Sequence, residues 1–383
     1  MQPKYDVIEL LAKLVGHDTA DPPGNEVEIA RFIVRFLEEN GVESELDEFL
    51  PGRANVLATI KGKRSDQALV FSSHLDTVPA GTQRWATPPL TPTIVDGWMY
   101  GRGTSDMKSA LAAMMMMAIE LKQEQAILPH DVILAFSAGE SSNCLGSKRF
   151  MQTDALQQAG AVVVGEPSSL DVIVAHMGVV WVRVIVHGKM GHVSGSAGEN
   201  AIDKMVDVIR QVKQLQIPYV DHALCNAPTI NIGKIVGGTA VNVTADRCEI
   251  EVDVRVPPGT DLKVVADTFN TLASGSIEVE IFDEKPAVET SVESPIVKLG
   301  VEVCERINGR AAEISGVSYY SDATIYCRNN DLPFVIIGPG ELGMSTQVDE
   351  CVELDKVRRC VSIYKQMALS WHGVDQSQVL DRA

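Results

Sequence analysis

Ala68-Leu69-Val70-Phe71-Ser72-Ser73-His74-Leu75-Asp76 sets the fold class of this chain. An apolar run of strand length delivers the backbone to a histidine and an aspartate. Strands that are apolar throughout, rather than alternately, belong to sheets buried on both faces. Such sheets collect their ligands beyond the strand ends. His74 and Asp76 flank Leu75, so in extended chain they share one face and can be coupled.

On both sides of this run, strand and helix signals alternate. Residues 6–14 and 26–40 carry apolar side chains at helical spacing, and the second stretch stops at Asn40-Gly41. Residues 54–60, 131–136 and 161–164 read as strands, and 108–125 and 147–151 as helices. The pattern is α/β, a sheet covered by helices on both faces. It changes after Ser169. Strand 179–186, helix 201–215, strands 229–235 and 248–256, helix 261–273 and strand 277–282 follow in order. That succession is the split βαβ arrangement of a ferredoxin-like α+β domain. Helix 296–308, strand 334–337 and helix 354–370 then restore the α/β pattern. The expected organisation is a discontinuous domain, residues 1–173 and 287–383, with a ferredoxin-like domain inserted at 174–286.

Two domains also suit the length: 383 residues exceed the roughly 250–300 at which single cores stop growing. The net charge of −18 argues against nucleic acid or an anionic membrane as partner. Seven scattered cysteines without a C-x-x-C pair read as reduced thiols of a cytoplasmic protein. Residues 1–6 carry no signal-peptide pattern. The apolar run 110–121, which contains four consecutive methionines, falls short of the roughly 20 residues that span a bilayer and reads as a buried helix.

Further chemical residues stand at the other strand ends. Asp106 closes the glycine-rich loop Gly101-Arg102-Gly103-Thr104-Ser105-Asp106 at the entry to a helix. Glu166 lies in Gly165-Glu166-Pro167, and Glu140 follows Ser137-Ala138-Gly139. Singly, each reads as readily as a helix cap or a salt-bridge partner. Together they offer one imidazole and two carboxylates, the ligand set of a catalytic zinc with an open position for water, plus a spare glutamate as base. A metal-bound imidazole commonly gives its other N–H to a carboxylate, a role open to Asp76.

With these residues in place, the chain resembles the co-catalytic zinc aminoacylase and carboxypeptidase family that includes acetylornithine deacetylase and succinyl-diaminopimelate desuccinylase. The resemblance rests on Ser73-His74-Leu75-Asp76-Thr77-Val78-Pro79, Tyr100-Gly101-Arg102-Gly103-Thr104-Ser105-Asp106-Met107-Lys108, Gly165-Glu166-Pro167-Ser168 and Gly191-His192-Val193-Ser194. Asn242, Asp253-Val254-Arg255, Ser321-Asp322-Ala323 and Gly338-Pro339-Gly340 follow in family order. It implies that His74, Asp106 and Glu166 hold one zinc, with Asp106 bridging to a second. It makes Asp76 the carboxylate behind His74 and Glu140 the general base. His192, on an inserted dimerisation or lid domain, would reach a partner subunit's site in a homodimer, while Arg255 and Asn242 would bind the substrate carboxylate.

The pattern breaks at one place in that scheme. Where the family has two consecutive glutamates, this chain has Glu140-Ser141, and alignment on Asp349-Glu350 puts Thr346 at the last histidine ligand. Hydroxyls are poor zinc ligands, so both changes strike the second metal site. Met177 in His176-Met177-Gly178 replaces a lysine of many relatives. The expectation is hydrolysis of an amide in an N-acyl amino acid or small peptide-like substrate with a single zinc, or another divalent ion, at the remaining site. Two alternatives stand beside it: metal-independent chemistry such as acyl transfer using Glu140 and its neighbours, including Ser141, Ser142 or Cys144, and a non-catalytic ligand-binding relative.

Overall fold

The run quoted above lies in the strand Arg64–His74, which is exposed at its start and buried from Ala68 to His74. The computed structural model describes residues 6–195, 198–327 and 332–373. The strand sits inside a sheet ordered Ser44–Leu50, Arg53–Ile60, His130–Ser137, Arg64–His74, Ala159–Val164, Phe334–Ile336 and Val172–His176. His130–Ser137, Arg64–His74, Ala159–Val164 and Phe334–Ile336 run parallel. Every residue of His130–Ser137 is buried, as a strand covered on both faces must be. Val27–Glu39 packs on the first two strands, Ser109–Gln123 on Arg64–His74, and Pro295–Asn308 on Phe334–Ile336. Ser109–Gln123 is buried almost all round, its four methionines included, and packs on the sheet and on the helices Val7–Val15 and Leu354–Ser370.

The chain divides into two units. The first comprises Met1–Val174, Glu289–Ser315 and Ser321–Ala383, the second Ala175–Val288 and Gly316–Tyr320. The second unit has a four-stranded antiparallel sheet ordered Thr229–Gly237, Arg247–Val256, Gly178–His187, Ile277–Lys285. The helices Ala201–Val212 and Lys263–Asn270 pack on it, and Arg247–Val256 alternates buried and open residues, as a one-sided sheet requires. The segment Gly316–Tyr320 joins this unit because the Met177 N–H donates to the Val317 carbonyl and the Tyr320 ring meets Arg255 and Lys285.

Several elements carry no sequence signal. Ser44–Leu50 reads Ser-Glu-Leu-Asp-Glu-Phe-Leu, an edge strand whose charges hide it. Cys351–Glu353, Trp98–Tyr100 and Thr93–Val95 form a three-stranded sheet too short for any periodicity. That small sheet matters, because it carries Glu350 to the glycine-rich loop: the Gly101 N–H donates to the Glu350 carbonyl at 2.9 Å. None of the seven cysteines forms a disulfide. Among the described residues no helix is long and apolar enough to cross a membrane. Of residues 1–6, only Asp6 lies within the described part; its side chain caps the helix Val7–Val15.

Candidate metal centre and active site

His74 ends its strand, and its Nδ1 lies 2.9 Å from the Asp76 carbonyl oxygen. A carbonyl only accepts, so Nδ1 carries a proton and the neutral ring presents Nε2 to a metal. The carboxylate expected behind His74 is farther away, 3.7 Å from Nδ1. It turns instead to the next loop, accepting the backbone N–H groups of Glu140 and Ser141 at 3.0 Å each. His74 Nε2 lies 3.0 Å from Asp106 Oδ1 and 3.6 Å from Glu166 Oε1. One ligand atom from each of the three lies within 4.8 Å of the others, the one such group of three among the described residues.

Asp106 is held from its backbone. The Glu350 carboxylate, fully buried, accepts four donors from the loop. Its Oε1 takes the N–H of Ser105 at 2.8 Å and of Asp106 at 3.0 Å. Its Oε2 takes the Gly103 N–H at 3.0 Å and Arg102 Nη1 at 2.6 Å. In the sequence Glu350 serves only as part of the Asp349-Glu350 anchor that aligns Thr346. No local signal marks its role, because its partners lie at least 244 positions away.

The loop bearing Glu140 joins the strand His130–Ser137 to the helix Leu145–Met151. Asn55 spans its two ends, accepting the Ala138 N–H at 3.0 Å and donating to the Gly146 carbonyl at 2.9 Å. Asp322, which enters the sequence reading only as part of a family match, is a buried carboxylate that accepts the Ser137 and Ser147 hydroxyls. Cys144 is buried within the same loop.

Five carboxylates therefore crowd one imidazole, and the titration behaviour follows. Burial works against charge on His74, but its hydrogen bond to Asp106 and the charges of Asp76 and Glu166 outweigh it and raise the imidazole well above its usual pKa. Burial raises Glu140 well above the usual carboxylate range; His74 opposes this, and Asp322, Asp76 and Asp106 reinforce it. Glu166 is raised by burial and then by Asp106. Burial likewise raises Asp322 despite its two serine donors. So much buried negative charge calls for a cation. One imidazole and two carboxylates are hard-to-borderline donors that suit zinc or another divalent ion. The donor set fits a resident metal, with a nitrogen already directed by its carbonyl partner.

Ser141 and Thr346 contribute nothing to this cluster. The Ser141 backbone N–H serves Asp76, and Thr346 is exposed with φ 66°, its carbonyl 3.5 Å from Arg102 Nη2. Met177 is fully buried. The remaining expected site residues belong to the second unit. His192 is exposed, with Nδ1 2.8 Å from the Ser194 hydroxyl, and Asn242 is exposed. Arg255 pairs with Asp253 through Nε at 2.6 Å and Nη2 at 2.9 Å, and its guanidinium lies 5.2 Å from the Tyr320 ring. Its Nη1 is buried and has no hydrogen-bond partner among the described residues.

The sequence model of peptidase family M20/M25/M40 matches residues 70–370. A probable succinyl-diaminopimelate desuccinylase of Staphylococcus epidermidis is 28% identical over 397 residues, covering 95% of this chain and 97% of that protein. An acetylornithine deacetylase of Aliivibrio salmonicida is 28% identical over 386 residues, covering 95% and 96%. The crystal structure of an M20 family metallo-carboxypeptidase from Sulfolobus solfataricus superposes with a TM-score of 0.79 at 17% identity, covering 95% of this chain and 98% of that one.

Proposed function

This chain belongs to peptidase family M20/M25/M40, metal-dependent hydrolases of amides, and from that premise we propose that it is a deacylase of N-acyl amino acids or small peptide-like substrates working with one zinc ion. The observation that carries the reading is the His74, Asp106 and Glu166 cluster, with the buried Glu140 in electrostatic reach of it. His74, Asp106 and Glu166 would hold the ion. When bound, it supplies Lewis-acid polarisation of an amide carbonyl and acidifies water. As a ligand His74 is neutral, so loading the site releases its proton.

Glu140 is the general base. It takes a proton from the attacking water as the C–O bond forms, and returns it to the leaving nitrogen as the C–N bond breaks. Burial raises its pKa, which favours holding the proton between the two steps. Asp76 positions His74 through its carbonyl and the Glu140 loop through its carboxylate. Arg255 binds the substrate carboxylate with the unpartnered Nη1, its other two donating nitrogens being held by Asp253. Asn242 assists it. His192 of a neighbouring subunit donates to the developing oxyanion, which requires a homodimer; seven cysteines without a disulfide suit a cytoplasmic location.

Metal analysis combined with activity tests this. Purified protein should contain about one zinc per chain, lost in His74→Ala. It should release amine from N-acyl amino acids in a chelator-sensitive way, with Glu140→Gln inactive although still loaded with metal. Activity that survives both chelation and Glu140→Gln would place the chemistry elsewhere. Ligand retention without turnover would make the chain a binding relative.

A further inference from the structure

A buried ionic cluster stands directly behind the Glu140 loop and takes no part in the scheme above. Arg53, at the start of the strand Arg53–Ile60, donates through Nη1 to Asp21 Oδ2 at 3.0 Å and Glu26 Oε1 at 2.6 Å. Its Nη2 donates to Asp21 Oδ1 at 2.9 Å and the Pro23 carbonyl at 3.0 Å. The side chains of Asp21 and Glu26 are wholly buried. The guanidinium lies against bare backbone on two sides. A Cβ on Gly24 would fall 1.9 Å from Arg53 Cζ, and one on Gly139 would fall 3.1 Å from Nη1. Gly139 immediately precedes Glu140.

The Ser142 hydroxyl joins this cluster to the loop, donating to Asp21 Oδ1 at 2.5 Å. Three consecutive loop residues are thus each tied to a buried carboxylate. Glu140 and Ser141 give their backbone N–H groups to Asp76, and Ser142 gives its hydroxyl to Asp21. We propose that Arg53 is a positioning residue for Glu140, acting through Asp21 and the Ser142 hydroxyl. The inference rests on Glu140 as the general base of the proposed hydrolase.

The physical case has two parts. Arg53 grips both oxygens of Asp21 and so fixes the way its carboxylate is turned, a bidentate geometry that lysine cannot reproduce. Glu26 secures Arg53 from the other side; its second oxygen, Oε2, is buried with no hydrogen-bond partner among the described residues. Then the loop itself: Arg53, Asp21 and Glu26 tie the N-terminal segment to the sheet through bonds that do not involve Ser142. What the Ser142 bond adds is a fixed place for residues 140–142. A general base tolerates little displacement, since a shift of about 1 Å can cost on the order of a hundredfold in rate.

Ser142 variants of the full chain, loaded with zinc, separate positioning from folding. Hydrogen–deuterium exchange of the peptide covering residues 139–143 reads the loop without any substrate. Ser142→Ala should speed exchange of the Glu140 and Ser141 amides by about tenfold, with zinc per chain unchanged and the melting midpoint within about 2 °C. On an N-acyl amino acid that the wild type hydrolyses, kcat should fall about tenfold and KM stay within twofold. Ser142→Thr, which keeps the hydroxyl, should restore both readouts, and Arg53→Lys should show the same faster exchange and lower kcat, with a lower melting midpoint as well because it breaks buried ion pairs. Unchanged exchange in Ser142→Ala overturns the proposal, as does a rise in KM without a fall in kcat. If the wild type hydrolyses no N-acyl amino acid, the proposed function fails, and the exchange measurement alone decides the positioning role.

Discussion

Replacing Glu350 by glutamine changes one atom of the carboxylate and should loosen the whole metal site. Each oxygen of Glu350 accepts two donors: Oε1 from the Ser105 and Asp106 N–H groups, Oε2 from the Gly103 N–H and Arg102 Nη1. Whichever way the amide is turned, its NH₂ faces two donors and can accept neither. Two hydrogen bonds to a charged group are lost, worth about 1.5–3 kcal/mol each. Arg102 also loses its buried counter-ion, a change that by itself costs about 3–5 kcal/mol. The two losses describe the same contacts and do not add. Asp106 still offers Arg102 some compensating charge, and burial already raises the pKa of Glu350, so the lower end applies. The expected destabilisation is about 3 kcal/mol. Urea unfolding followed by tryptophan fluorescence measures it, since Trp85, Trp98 and Trp371 lie in the first unit and only Trp181 in the second. Chelator competition should show metal affinity weakened about 10–100-fold, because the charged acceptor that holds the loop bearing Asp106 is gone. A loss below about 1 kcal/mol with unchanged metal affinity would refute the reasoning and mean that the loop holds its own shape.

Two further outcomes follow from the same geometry. Burial and then Asp76 push Glu26 up to about 7 from 4.5, against the pull of Arg53. Between those pH values the folded chain keeps a proton that the unfolded chain has released, so this group's contribution falls as pH rises through the window. Stability of Glu26→Gln should therefore gain on the wild type from pH 4.5 to 7 and hold a constant difference above about pH 8; parallel curves throughout would contradict the assignment. The second concerns the replaced ligands. Ser141→Glu combined with Thr346→His should raise zinc from one to two per chain, and histidine suits the left-handed φ of 66° at that position better than a β-branched threonine. A double variant that still binds a single ion would mean that the second site is lost for some other reason.

The sequence by itself determined what depends on near neighbours. Apolar runs and helical spacing marked the main strands and helices, because each pattern repeats within a pleat or a turn. Strand-end placement brought His74, Asp106, Glu140 and Glu166 forward as the chemical residues, and the family motifs gave their roles. Only the tertiary structure decided how those side chains are held. Glu350 reaches the glycine-rich loop across 244 to 248 positions, Asp322 reaches Ser137 across 185, and Ser142 reaches Asp21 across 121. The Asp76 carbonyl lies nearer to His74 Nδ1, at 2.9 Å, than its carboxylate, at 3.7 Å. Nothing in the residues around an aspartate or glutamate says which distant donors will meet it. A buried carboxylate takes whatever N–H and O–H groups the returning chain brings within about 3 Å, and that is set by packing of the whole sheet and its helices.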